Sequence, residues 1–172
     1  MHTISLALHV TAAAVLVGPQ VLMFFAVVPA TWIIEDDERL KRALLGVVAR
    51  RFGIMSVIAI ATLAVTGIYQ YTQVVGEHAG ESLNDYRFGT LFMTKMALFA
   101  LLLVLILVHT YRFSRRIMRL SDAVIAGEGD AGELERARLQ SFSFSVAILV
   151  TSVMLLWLGV AMADDTFAWV LQ

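Results

Sequence analysis

Two basic side chains stand where a basic side chain is costly. Lys95 lies within Phe88–Tyr111, a stretch otherwise almost wholly apolar, and His9 lies within an apolar block that runs from Ser5 to Ile34. A charged side chain at the bilayer centre costs about 2.5–3.5 kcal/mol on insertion scales, so such a group faces a bundle interior or a cavity and marks a site. A membrane imidazole is a good axial ligand for haem iron. The lysine amine could be a second iron ligand, could pair with a haem propionate, or could pair with an acid. The competing readings are that Lys95 snorkels to the interface along apolar surface and that His9 only hydrogen-bonds to a neighbouring helix or a lipid head group. On the second apolar block Thr62, Thr66, Gln70 and Gln73 recur at helical spacing as a polar stripe. The expected cofactor-binding set is therefore His9, Lys95, Gln70 and Thr66, with His9 and Lys95 the expected metal ligands, and no catalytic residue assigned.

The remaining candidates are weaker. His109 shares a helix with Lys95 but lies about 20 Å further along it, so one haem cannot use both His9 and His109; the plain reading is an interfacial histidine beside Tyr111 and Arg112. His2 and His78, with Met93, Met96 and Met162, could bind copper, since imidazole and thioether both suit that metal. Their spacing is not that of a tight ligand set, and methionine is ordinary helix filler. No phosphate loop, nucleophile triad or paired-carboxylate site is present.

These residues need long apolar helices to hold them. The chain has 172 residues, a formal net charge of −1 and no cysteine, which excludes disulfides and thiolate metal sites and gives no basic surface for nucleic acid. Its apolar residues fall into four blocks, 5–34, 54–74, 88–111 and 142–163, each long enough to cross a bilayer. The predicted fold is all-α: an integral membrane antiparallel bundle of four transmembrane helices in one domain over residues 1–172. The third helix is expected to continue past the membrane to about 126, where Gly127-Glu128-Gly129-Asp130 breaks it. Gly18-Pro19 and Pro29 predict kinks in the first helix. No lysine or arginine precedes the first block, which reads as a retained helix.

Arg39, Lys41, Arg42, Arg50 and Arg51 lie between the first two blocks, and six arginines from Arg112 to Arg138 lie between the last two. By the positive-inside rule both connections face the cytoplasm and both termini face outward. At 1.5 Å per residue, His9 then lies about 7 Å and Lys95 about 10 Å below the outer ends of their helices. Thr66, Gln70, Gly159 and Met162 share that outer half.

The chain resembles the superfamily of four-helix membrane proteins that includes the copper-resistance D (CopD) proteins and the HemJ protoporphyrinogen oxidases. The resemblance rests on Leu8-His9-Val10 in the first helix, Arg50-Arg51-Phe52 and Thr66-Gly67 in the second, and Gly89-Thr90-Leu91-Phe92-Met93-Thr94-Lys95 followed by His109-Thr110-Tyr111-Arg112 in the third. It implies haem b, with the roles of the family's first-helix histidine and third-helix lysine falling on His9 and Lys95, and a bacterial cytoplasmic membrane. Thr90 stands where the oxidases have a tryptophan, and Val28-Pro29-Ala30 where they have a tyrosine–histidine pair. Three functions are expected to compete: a b-haem redox protein doing electron transfer or HemJ-like oxidation, a CopD-like copper transporter or delivery protein, and a cofactor-free subunit of a larger respiratory or photosynthetic complex. Expected partners are the lipid bilayer and either other subunits or further copies of the chain.

Overall fold

The computed structural model describes residues 2–34, 37–80 and 82–171, with the side chains of all but His2, Asn84 and Asp165. Four long helical rods make up the chain. The first is α1 (His2–Leu22), a π-helical turn (Met23–Val27) and α2 (Val28–Ile33); the second is α3 (Glu38–Glu77). The third is α4 (Arg87–Val108), a π-helical turn (His109–Ser114) and α5 (Arg115–Ile125); the fourth is α6 (Ala131–Ala163), followed by the short α7 (Asp165–Ala168). All four rods are long and apolar enough to cross a membrane, and the described residues contain no strand beyond one bridge between Tyr86 and Leu171.

The breaks follow local chemistry. Pro19 is carried inside α1, and the wider π turn falls just before Pro29, whose ring would otherwise press on the carbonyl four residues back. Helix α3 begins at Glu38, well before the apolar block, because nothing from Glu38 to Arg51 opposes a helix and Asp37 caps it by accepting from the Leu40 amide at 2.9 Å. The turn after α5 depends on two glycines. Gly127 has φ +80°, and a Cβ on Gly129 would sit 2.7 Å from the Val124 nitrogen. Asp130 then caps α6 through the Gly132 amide at 2.7 Å.

Helices α1 and α3 pack side by side and antiparallel, as do α4 and α6, and the two pairs join along α1 and α6. The small core takes one or two residues from each rod: Ala12, Leu16, Ala59, Leu102 and Ile148. Large apolar side chains such as Val57, Ile68, Val104 and Trp157 are exposed instead, as suits a surface that meets lipid. Two buried hydroxyls of α6 are satisfied within their own helix: Thr151 donates to the Ala147 carbonyl at 2.8 Å and Ser152 to that of Ile148 at 2.9 Å.

Each end of the bundle has its own lock. At the basic end Glu38 accepts from Ser121 at 2.5 Å and from Arg138 at 2.7 and 2.9 Å, tying α3, α5 and α6 together. At the end that carries both termini, Trp169 lies flat on the His78 ring, centroids 3.9 Å apart, and on Phe88 at 4.9 Å. The Arg87 amide donates to the Val170 carbonyl at 2.9 Å, which fixes the tail across the bundle.

Candidate functional site

The site begins with one hydrogen bond between α1 and α3. His9 Nδ1 lies 2.7 Å from Thr66 Oγ1. The Thr66 hydroxyl also donates to the Thr62 carbonyl at 2.6 Å. A hydroxyl has one hydrogen, so Thr66 must accept from His9, and Nδ1 carries the proton. In the neutral ring the lone pair then sits on Nε2. A histidine whose one nitrogen is committed to a protein acceptor presents the other as a ligand of fixed tautomer and orientation. Gly67 faces the ring across the helix contact: a Cβ there would stand 3.5 Å from His9 Cε1, an ordinary van der Waals distance.

Lys95 enters from α4. Its side chain is half-buried. A Cβ on Gly159 of α6 would lie 3.7 Å from Lys95 Nζ, so the amine rests against bare backbone. Among the described residues the ion pairs are all formed by arginines, and Lys95 has no carboxylate partner. One turn further toward the terminal end, Ser5 Oγ and Gln70 Nε2 are buried without a hydrogen-bond partner. Such orphaned polar groups are uncommon and call for a water or a ligand group.

Of the residues predicted from sequence, the structure joins His9 and Thr66 directly and sets the Lys95 amine against Gly159 of α6. Gln70 lies a turn away on the same face of α3, and Gln73 is exposed. Ser5 was missed: a serine in an apolar helix carries no signal of its own, and only its spacing of four from His9 could have found it. His109 belongs to the other end of the bundle, where its Nε2 is held by Ser141 at 3.1 Å and Ser145 at 3.0 Å, both on α6. That nitrogen is taken by hydroxyls. His78 donates Nδ1–H to the Val74 carbonyl at 3.0 Å and stacks on Trp169. Met162 is half-buried on α6, one turn beyond Gly159, while Met93 and Met96 are exposed. The side chain of His2 lies outside those described. No group of three or more His, Cys, Asp or Glu that could hold a metal ion occurs among the described residues.

What fold and site define is an integral membrane protein, a bundle of four spanning helices with a polar cluster buried toward the terminal end. The family model for copper resistance protein D matches residues 46–163, more than half of the chain. The chain belongs to the copper resistance protein D family, which makes it a copper-resistance-related membrane protein. The matched region holds Thr66, Gly67, Lys95 and Gly159; His9 precedes it. No curated protein and no solved structure matches the chain.

Proposed function

We propose that this chain is a b-haem-binding redox protein of the membrane, with the cofactor held between His9 and Lys95. The observation that carries this reading is the His9–Thr66–Thr62 relay, which leaves Nε2 as an oriented lone pair inside the bundle. Three further features fit haem. The cofactor supplies its own equatorial nitrogens, so one or two axial donors are enough, and the chain offers a small donor set rather than a cage. Lys95 is a basic group without an acidic partner among the described residues, and haem brings two carboxylates. Ser5 Oγ and Gln70 Nε2 provide unused polar atoms nearby. Bound haem would supply one-electron chemistry; the chain's own residues would ligate, orient and keep water away. By the positive-inside rule the terminal end would face outward, in a bacterial cytoplasmic membrane, with an electron partner or complex subunit at that face.

Family membership favours a second reading, in which copper is cargo and His9 Nε2 its ligand during uptake or delivery. The neighbouring Lys95 counts against it, since a cation beside a copper ion is repulsive unless the amine is neutral. The test is a visible spectrum, oxidised and dithionite-reduced, of detergent-purified protein expressed with ample haem, alongside copper analysis. A Soret band and reduced b-type peaks that vanish in His9→Ala support the first reading. Stoichiometric copper without a Soret band moves the assignment to the second. Neither group bound would sink both.

A further inference from the structure

The basic end of the bundle carries a groove that the haem and copper readings do not use. It runs along the third rod, where the apolar helix α4 passes through its π turn into α5. One part is a shallow, open depression lined by Leu107, Val108, Tyr111, Arg112, Arg116 and Arg119. An adjoining part, about 350 Å³, shares Arg112 and Arg116 and adds Gln140 and Ser143 of α6. We propose that this groove is a binding site for one anionic phospholipid, its phosphate on the arginines and its acyl chain on Leu107 and Val108.

Charge is the first argument. Arg112 forms no ion pair among the described residues, and Arg119 donates only to the Arg115 carbonyl, at 3.4 Å. Arg116 is partly neutralised by Glu133 at 3.1 Å and also reaches Gln140 at 3.5 Å. Arg115 is occupied over the Tyr111 ring, 4.7 Å from its centroid. Two guanidinium forks, with part of a third, therefore converge without a matching carboxylate. A planar fork with several donors suits phosphate oxygens better than a point charge does.

The second argument is what lies beside the charge. Leu107 and Tyr111 are more than half exposed and continue the lipid-facing surface of α4 directly into the arginine cluster. Free phosphate would use only the charged part. A lipid uses both, and the boundary between apolar helix and arginines is the depth at which headgroups lie.

The experiment uses the whole protein, delipidated in a neutral detergent and titrated with a short-chain phosphatidylglycerol or phosphatidylcholine, with native mass spectrometry as readout. Millimolar inorganic phosphate is added as competitor. The expected result is one phosphatidylglycerol bound in preference to phosphatidylcholine and not displaced by phosphate. R112Q/R119Q should weaken it at least tenfold, about 1.4 kcal/mol, and R112K/R119K should restore part of the loss. R39Q/R136Q removes the same charge elsewhere on the basic end and should bind as the parent does. Equal binding of the two lipids, or equal weakening in the control, overturns the site. Displacement by phosphate reassigns it to the free anion and overturns the lipid. Should R112Q/R119Q fail to fold, the single variants R112Q and R119Q answer the same question, each expected to lose several-fold.

Discussion

Replacing Thr66 by valine removes one hydroxyl and almost no volume. In the folded protein that hydroxyl accepts the His9 Nδ1 proton at 2.7 Å. Without it a donor inside the bundle is left unpaired, at a cost of about 1–3 kcal/mol. His9 is only half-buried, so the lower part of that range applies, about 1–2 kcal/mol. The ring is then free to turn or to exchange tautomers, and ligation has to reverse the change. The same free energy therefore reappears as binding weakened by about 5- to 30-fold, which overlaps the ~10–100-fold effect of losing an outer-shell partner. The assay is a haem titration followed at the Soret band, with copper titration run beside it and thermal unfolding of the empty protein as an internal check. Thr66→Ser keeps the hydroxyl and should bind like the parent. Unchanged affinity in Thr66→Val, in a protein where His9→Ala abolishes binding, would refute the view that Thr66 orients the ligand.

Three other perturbations follow from the same geometry. Gly67→Ala should fold and bind normally, because the new methyl meets His9 Cε1 at an ordinary 3.5 Å, whereas Gly67→Leu should push the ring aside and lose binding at unchanged expression; spectra of the two variants decide it. Glu38→Gln should lower stability by about 1–3 kcal/mol, because Arg138, largely shielded from water, loses its close charge-assisted partner and keeps only Glu135 at 3.7 Å; thermal unfolding in detergent measures this. At the terminal end, the Thr166 hydroxyl donating to Asp164 at 2.7 Å, with the Thr166 and Phe167 amides, holds that carboxyl below the ordinary range. Its contribution to seating the tail is present above the ordinary carboxylate range and lost as pH falls through the lowered value, which amide exchange at Thr166 and Phe167 should follow.

Much of this architecture was legible in the chain. A spanning helix must bury every backbone polar group within itself and show lipid about 20 apolar residues, so four apolar blocks became four rods. His9 and Lys95 were conspicuous for the converse reason: polar groups are expensive there. The limits of the rods were less visible. Charged residues from Glu38 to Arg51 can be loop or helix outside the membrane; the Asp37 cap starts the helix, and packing against α5 and α6 through Glu38, Ser121 and Arg138 holds it in place. The tail illustrates the same point, since Trp169 found its place through rings on three other segments.

The pattern of apolar and polar residues along the chain is enough to specify a helical membrane bundle and to mark the side chains that are out of place in lipid. Both follow from the one-dimensional distribution of apolar and polar groups, because the bilayer tests each residue nearly alone. Which nitrogen of His9 carries its proton, that Gly67 and Gly159 are the bare surfaces against His9 and Lys95, and that Ser5 and Gln70 face inward unpartnered were decided only by the tertiary structure. These are relations between helices far apart in the chain, set by how two antiparallel pairs rotate and approach, and no local preference encodes them.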